Sequence, residues 1–436
     1  MVLARLVLAA FVATTAALPV SGIANSTNDQ DVSPSIPANH DFRPLVAEKL
    51  TSAITNSNNV QYQIQVKINN TNDLAYYSMD CMMVMKDTDT SLIAVFHAQA
   101  KSDPGYNGLH LARATVAKPG DVPGTDDWVY HSTLSKRGSM GYFKQVQDSD
   151  AIFLAYELEN HDGGNRVAIR LYASKDHLLR NEWVREVQMS NELRGSGDQG
   201  LVKAGNMGTP SIANIVELEG RYSLSVQFHY YFFSDIPGEG IIDFPREGGG
   251  VISSAWPWWG ATFNADSNNA VRSANAVGKI GQRALLHPPN AESTTLLLYE
   301  AQMANAGEDD CGWLSWRLFL HQQGMDGGAV RLDLEMPGHL RTFANPHANV
   351  VGEWIYLNFR FVPSQPFDPN PDERDESILY QPPEAYSKCD GKETKGLSGD
   401  VVVSCPTCAS EPMKKAEPPA NAGSMLLSVK VSDIFG

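Results

Sequence analysis

Apolar and polar positions along the chain form short runs that predict β-strands. The run Ile152–Leu158 is apolar and aromatic and is too short for a capped helix. Residues 159–165 contain turn-forming Asp and Gly, and residues 166–173 then predict a second strand. Residues 60–68 alternate strictly and predict a further strand. No convincing amphipathic helix occurs between residues 75 and 362, which disfavours an α/β barrel.

The core of this pattern recurs as an apolar strand in which an aromatic residue is followed by a polar one. Successive polar members are 60 to 72 positions apart, which is typical of a propeller blade with four strands. We therefore predict an all-β fold, a five-bladed β-propeller with a C-terminal extension. The five polar members are His97, Glu157, His229, Glu300 and Arg360.

The repeats and the flanking composition divide the chain into four parts. Arg5 precedes an apolar run over residues 6–18, which predicts a secretory signal. A Ser/Pro/Asp-rich stretch follows, with a possible short helix over residues 42–53. The parts are residues 1–22, a signal peptide; 23–54, a linker; 55–375, the propeller; and 376–436, a Cys-containing extension.

Propellers commonly close by pairing strands from both ends of the chain. In the fifth blade, from residue 340, the pattern predicts one strand, over residues 353–362. Residues 60–68, together with either 400–404 or 425–432, would complete that blade. We expect one of these two C-terminal segments to close the ring.

Charge and hydropathy restrict the classes of partner. The formal net charge is −16 and no basic cluster occurs, which disfavours nucleic acid and anionic membrane surfaces. No run of 18 apolar residues follows the N-terminus, so no transmembrane helix is predicted. Acceptor sequons begin at Asn25 and Asn69 and fit a glycoprotein. We expect a secreted, extracellular monomer.

The five cysteines suit an oxidising compartment but leave their pairing open. Cys405 and Cys408 form a Cys-x-x-Cys pair that resembles a redox or zinc half-site. Neither a second pair nor a βαβ context accompanies it, so a disulfide in the tail is the preferred interpretation. The odd count leaves at least one free thiol. The remaining cysteines are Cys81, Cys311 and Cys389.

The order of the repeats resembles sialidase-like and arabinanase-like propellers, the architecture of many glycoside hydrolases and some lectins. Ser174, Lys175 and Asp176, followed by Trp183, resemble an Asp-box turn that lacks its usual glycine. The resemblance implies that the polar ends of the second strands face a functional surface. Asp80 is a possible match to the Asp that arabinanase-like enzymes carry at the start of the first blade, whereas the third blade offers no matching Glu in GTPSI.

Glycoside hydrolysis requires a carboxylic acid and a second carboxylate acting as base or nucleophile. Glu157 and Glu300 are the candidate catalytic pair, and His97, His229 and Arg360 are candidate substrate-binding residues. The alternative is structural: each Glu pairs with Arg170, Arg317 or Arg360, and the histidines are hydrogen-bonded. No HxH or HExxH spacing predicts a metal site.

Three tryptophans, Trp256, Trp258 and Trp259, form the most unusual local cluster. Indole rings stack on sugars when they are exposed, but they also fill blade cores. No GxSxG elbow and no cofactor motif occurs. We expect an oligo- or polysaccharide partner, no cofactor, and a glycoside hydrolase. The alternatives are a non-catalytic, lectin-like propeller and a protein-interaction propeller.

Overall fold

The protein is described from a computed structural model, which covers most of the chain after residue 39. Among the helices of the described ranges, none has the length and apolar character needed to cross a membrane. The described ranges are 40–56, 60–62, 64, 66–67, 79–99, 107–124, 127–159, 165–189, 192–194, 201–203, 206–232, 234–246, 251–254, 258–263, 276–289, 291, 294–303, 316–332, 334, 340–363, 392–395, 401–404 and 423–436.

Helix α1 (Arg43–Asn56) and strand β1 (Val60–Tyr62) precede the first blade. That blade consists of β2 (Val66–Lys67), β3 (Asp80–Thr88), β4 (Ser91–Gln99), β5 (Asn107–Thr115) and β6 (Trp128–Ser135). The second contains β7 (Gly138–Gln145), β8 (Ile152–Leu158), β9 (Arg166–Tyr172), helix α2 (Lys175–Leu179) and β10 (Arg185–Met189). A ribbon pairs β11 (Glu192–Arg194) with β12 (Leu201–Lys203).

The third blade consists of β13 (Asn206–Leu218), β14 (Arg221–Phe232), β15 (Ser234–Pro245) and β17 (Trp258–Phe263). Strand β16 (Val251–Ser254) pairs in parallel with β10 at the outer edge of the second blade. The fourth contains β18 (Ala276–Leu286), β19 (Leu296–Met303), β20 (Trp316–Gln322) and β21 (Val330–Arg331). The fifth contains β22 (Leu340–Val351), β23 (Trp354–Pro363), β26 (Gly423–Lys430) and β1, and helix α3 (Val431–Phe435) ends the chain.

The first long strand of each blade lies at the centre of the molecule. These inner strands contact one another in cyclic order, β3 with β7, β7 with β13, β13 with β18, β18 with β22, and β22 with β3. Each blade therefore packs on two neighbours and the ring is closed, which confirms the predicted all-β, five-bladed propeller.

Aromatic side chains fill the space between blades. Phe153 of the second blade makes edge-on contacts with Tyr222 and Phe244 of the third, with ring centroids 5.2 and 5.1 Å apart. All three side chains are buried. The alternating apolar positions of the predicted strands therefore become the faces that stack blade on blade.

The fifth blade is completed by both ends of the chain. Strand β26 pairs antiparallel with β23 on one side and with β1 on the other. The competing segment β25 (Val401–Ser404) pairs instead with β24 (Lys392–Lys395). Residues 60–68 are not one strand, because β1 joins the fifth blade while β2 pairs with β6 in the first.

Helix α1 begins in the stretch expected to be a linker and ends two residues beyond it, and its N-terminal end packs on the fourth blade. The backbone N–H of Phe42 donates to Oε1 of Gln322 at 2.9 Å, and Nε2 of Gln322 donates to the carbonyl of His40 at 2.9 Å. Arg43 donates to the carbonyls of Gly328 and Asp326 at 2.9 and 2.8 Å. Residues 40–43 therefore contact the fourth blade, because Arg43 satisfies two backbone carbonyls of the propeller.

Candidate functional site

The inner strand of every blade contains an irregularity in its pairing with the second strand. The register shifts fall between Asp80 and Met83, Ser139 and Tyr142, Gly208 and Ser211, Ile280 and Arg283, and Ala344 and His347. Four of these bulges place a residue other than glycine at positive φ. These are Cys81 at 49°, Met140 at 51°, Thr209 at 44° and Asn345 at 52°. The bulge is therefore a repeated device that redirects side chains at one level of the propeller.

The five polar residues predicted from the repeats all lie beside the bulge of their own inner strand. In four blades each is paired with the residue that directly precedes the bulge. These pairs are Asp80–His97, Ser139–Glu157, Gly208–His229 and Ala344–Arg360. In the fourth blade a Cβ on Gly281 would lie 1.8 Å from Oε1 of Glu300. The aligned repeats therefore identified one ring of side chains.

Asp80 lies at the junction of the first and fifth blades. Its Oδ2 accepts a hydrogen bond from Nη1 of Arg360, and its Oδ1 accepts one from the backbone N–H of Cys81 at 2.9 Å. His97 Nε2 is 3.4 Å from Oδ2. Burial raises the pKa of Asp80, but the charge of Arg360 and the contact with His97 outweigh it and hold that pKa well below its usual range. The carboxylate is therefore ionised throughout the neutral range.

Glu157 reaches from the second blade into the bulge of the third. It accepts hydrogen bonds from Nδ2 of Asn165 and, at 3.4 Å, from the backbone N–H of Thr209. The Thr209 hydroxyl is 2.6 Å from Nδ1 of His229. A Cβ at position 208 would lie 2.3 Å from Oε2 of Glu157. Glycine is therefore required there for this carboxylate to lie against the backbone.

Glu300 makes the corresponding contact one blade further on. Its Oε2 accepts a hydrogen bond from the backbone N–H of Asn345 at 2.5 Å. Both Glu300 and Asn345 are buried. Glu157 and Glu300 thus share a role, since each carboxylate holds the bulge of the next blade through a backbone donor.

The electrostatic environment of the Cys81 thiol includes charges from several blades. Burial raises the pKa of its thiol well above the ordinary value, and the negative charges of Asp80, Glu300 and Glu157 act in the same direction. Arg360 acts in the opposite direction. Carboxyl groups from three blades therefore act on one buried point. Among the described residues, Asp80, Cys81 and His97 are the set of metal-ligating side chains that converge.

His347 also belongs to this centre, two residues beyond the bulge of the fifth blade. Its Nδ1 is 3.4 Å from the carbonyl oxygen of Asn345, and the ring hydrogen-bonds to the backbone of Gly141 in the second blade. Burial lowers the pKa of His347 to about 4, and the nearby His97 acts in the same direction. The imidazole is therefore neutral at pH 7.

If Glu157 and Glu300 had only a structural role, they were expected to pair with arginines. Two of the arginines considered form ion pairs with other carboxylates. Arg170 forms its ion pair with Glu186, at 2.5 Å, and lies 5.1 Å from the Tyr156 ring centroid. Arg360 forms its ion pair with Asp80. Of the three arginines named in that alternative, Arg170 belongs to a network on the outer strands of its own blade.

The tryptophan cluster and four cysteines fall mainly outside the described residues. Trp256 lies outside them, whereas Trp258 and Trp259 begin β17, where their backbones pair with Ile242 and Ile241. The side chains of these tryptophans are not among those described. Cys81 is a free, buried thiol. The tail disulfide expected for Cys405 and Cys408 lies outside the described ranges, as do Cys311 and Cys389.

Sequence reasoning missed the partners supplied by the inner strands. Cys81, Asn345 and His347 lie on inner strands, whereas the repeat that predicts the site covers only the second strands. One signal was present, because Thr209 and Asn345 both precede a proline and lie 15 to 20 residues before the polar member of their blade. This spacing between the residue before proline and the polar residue locates the bulge only if the inner strand of the blade is already known.

Comparison with models of known protein families gave no match, and comparison with curated proteins also gave none. Similar solved structures include an arabinanase from Bacillus subtilis, 9% identical with a TM-score of 0.37, covering 66% of this chain and 90% of that chain. An α-L-arabinanase from Penicillium chrysogenum complexed with arabinobiose is 10% identical with a TM-score of 0.38, covering 69% and 82%. A Bombyx mori GH32 β-fructofuranosidase is 11% identical with a TM-score of 0.36, covering 75% and 62%.

The chain is thus a five-bladed β-propeller with a buried polar centre, built where the inner-strand bulges meet the ends of the second strands.

Proposed function

We propose that this protein is a secreted, carbohydrate-active propeller that hydrolyses glycosidic bonds with Glu157 and Glu300 as the reacting carboxylates. The observation that carries the proposal is that Glu157 and Glu300 both end beside inner-strand bulges of the ring, where their negative charges and that of Asp80 act on the buried Cys81. Hydrolysis of a glycoside needs at least two carboxyl groups in one cleft, one to protonate the leaving oxygen and one to act on the anomeric carbon or on water.

Secretion is part of the proposal and rests on the N-terminal sequence. The apolar run after Arg5 and the sequons at Asn25 and Asn69 suit a protein that meets glycans outside the cell. The net charge of −16 suits a neutral or basic polysaccharide better than a polyanionic one.

The test is product release from a broad panel of polysaccharides, measured by mass spectrometry. We expect Glu300→Gln and Glu157→Gln to lower the rate of release by roughly 10²–10⁴-fold, because each amide can neither donate nor accept the catalytic proton. Folding of each variant is checked by thermal unfolding.

Glu159→Gln provides the matched control. Glu159 is also buried and accepts hydrogen bonds from Asn107 at 2.9 and 3.1 Å, but it is not a member of the ring. Its variant is expected to keep the wild-type rate within a few-fold. Equal rates of product release in all three variants would show that neither Glu157 nor Glu300 is a catalytic residue.

A second candidate is non-catalytic glycan binding. It is favoured by the backbone N–H groups of Thr209 and Asn345, which donate to the two carboxylates as they would in a purely structural role. In that case calorimetry detects binding of a glycan that is never cleaved. Glu300→Gln then lowers the midpoint of thermal unfolding and leaves the affinity unchanged.

A further inference from the structure

The ligand atoms of three different side chains lie together at the inner edge of the first blade. An oxygen of Asp80, the sulfur of Cys81 and a ring nitrogen of His97 are all within 4.8 Å of one another, and all three residues are buried. The sequence predicted no metal site, because no ligand spacing of a known kind is present. The cluster is produced instead by a bulge and by the neighbouring strand.

The bulge explains how adjacent residues contribute to one cluster. Successive side chains of a regular strand point to opposite faces, so Asp80 and Cys81 would ordinarily diverge. Cys81 has a φ of 49°, and the register of β3 shifts directly after Asp80. The local turn of the backbone therefore brings both side chains to the same side.

The distance between His97 and Asp80 fits a shared ion better than a direct contact. Nε2 of His97 lies 3.4 Å from Oδ2 of Asp80, whereas a charge-assisted hydrogen bond is ~2.7–2.9 Å long. Two ligands held ~2.0–2.1 Å from one ion at a tetrahedral angle lie roughly 3.4 Å apart. The imidazole and the carboxylate are therefore already at the separation that tetrahedral coordination requires.

The thiol needs only a small movement to join them. With a metal–sulfur bond of ~2.3 Å, a tetrahedral site places sulfur roughly 3.5 Å from each nitrogen or oxygen ligand. The present separations are within 4.8 Å. A movement of roughly 1.5 Å or less at the side chain of Cys81 would close the site.

His97 also has an unmet requirement for a partner. Its side chain is only 7% exposed, and Nδ1 has no hydrogen-bond partner among the described residues. Buried polar groups are nearly always satisfied. The ring is thus buried with one nitrogen unpartnered and the other in a single long contact, which indicates that a bound group is part of its environment.

The charges around the cluster suit a cation. Carboxyl groups of Asp80, Glu157 and Glu300 act on Cys81, opposed by the guanidinium of Arg360. Arg360 donates to Oδ2 of Asp80 and the backbone of Cys81 donates to Oδ1. Each carboxylate oxygen has a second lone pair, so an ion can bind Oδ2 without displacing these donors.

We propose that Asp80, Cys81 and His97 bind a divalent, thiophilic metal ion of the zinc class, with the fourth coordination position left to water or a ligand. A thiolate and an imidazole select such an ion over Ca²⁺ or Mg²⁺. Three protein ligands with one open position are typical of reactive rather than purely structural zinc sites. On binding, the Cys81 thiol releases its proton to solvent and the sulfur coordinates the ion.

The test is titration of the metal-free full chain with Co²⁺, which reports thiolate ligation through a sulfur-to-cobalt charge-transfer band in the near ultraviolet. We expect the band to saturate at one equivalent and to disappear when one equivalent of Zn²⁺ is added. Cys81→Ser is expected to lose the band. The double variant Cys405→Ser/Cys408→Ser is the control, since the tail contains the other thiol pair with ligand spacing.

Two outcomes of the Co²⁺ titration of the wild type and the cysteine variants overturn the proposal. One is the absence of a charge-transfer band in the wild type. The other is a band kept by Cys81→Ser and lost with the tail cysteines. Where Cys81→Ser does not fold, His97→Gln replaces it and keeps the thiol. We expect its Co²⁺ affinity to fall by more than the roughly 10- to 100-fold that loss of an outer-shell partner costs, and an unchanged affinity would likewise refute the site.

Discussion

At the scale of single residues, the centre of this propeller depends on close approaches that only glycine permits. Gly208 lies against the carboxylate of Glu157, and Gly281 lies against that of Glu300. In both cases the neighbouring atom belongs to the end of a side chain rather than to backbone. An added methyl group therefore has to displace the carboxylate from the ring.

We predict that Gly208→Ala lowers the free energy of unfolding by about 1–3 kcal/mol, because the new Cβ would lie 2.3 Å from Oε2 of Glu157. Chemical denaturation measures the change. In a Glu157→Ala background the same substitution is expected to cost less, with a coupling energy of about 0.5–3 kcal/mol. Additive effects in this double-mutant cycle would show that the Glu157 carboxylate is not the reason why position 208 requires glycine.

At the scale of elements, β26 decides whether the ring closes. It is an interior strand of the fifth blade, between β23 and β1, although it comes from the last 14 residues of the chain. Leu427 is fully buried and is paired with Leu357 on one side and with Val60 on the other. Strand β26 thus joins three distant segments of the sequence at the level of Leu427.

Leu427→Ala is expected to lower the free energy of unfolding by about 2–5 kcal/mol, the range for a large-to-small substitution that leaves a cavity. Val350→Ala in the same blade is the control. Val350 is 46% exposed, and its substitution is expected to change the free energy of unfolding by no more than about 0.5 kcal/mol. Similar values for the two variants, measured by urea denaturation, would contradict a closing role for β26.

At the scale of the whole molecule, the buried centre couples folding to pH. His347 is surrounded by backbone of the second and fifth blades and by His97 and Asp80 of the first. Burial lowers its pKa to about 4 in the folded protein, from 6.5 when it is unperturbed. Between pH 6.5 and 4, His347 is therefore protonated in the unfolded chain but remains neutral in the folded protein.

Stability from this group is fully present above pH 6.5 and is lost as the pH falls toward 4. We predict that the free energy of unfolding decreases over this window by up to roughly 3 kcal/mol through His347. His347→Asn is expected to remove that part of the slope. His131→Asn, at an exposed histidine, should leave it intact. Equal pH slopes for wild type and His347→Asn, measured by urea denaturation, would refute the assignment.

The sequence by itself determined the blades and the ring. Short alternating strands set which faces pack, and five similar segments showed how often the unit repeats. His97, Glu157, His229, Glu300 and Arg360 were therefore found as one set, since equivalent positions in a repeat fold to equivalent places. Such information is local, because it lies within a few neighbouring residues.

Only the tertiary structure decided what those side chains meet. Asp80 and Arg360 are 280 residues apart, and Glu300 finds its donor on the next blade. The closing strand was likewise chosen between two apolar segments of similar pattern, β25 and β26. Register, bulges and the order of blades around the ring determine such partners. Register, bulges and blade order depend on pairing between strands that are distant in the sequence, and the pattern of apolar and polar residues within one segment does not specify that pairing.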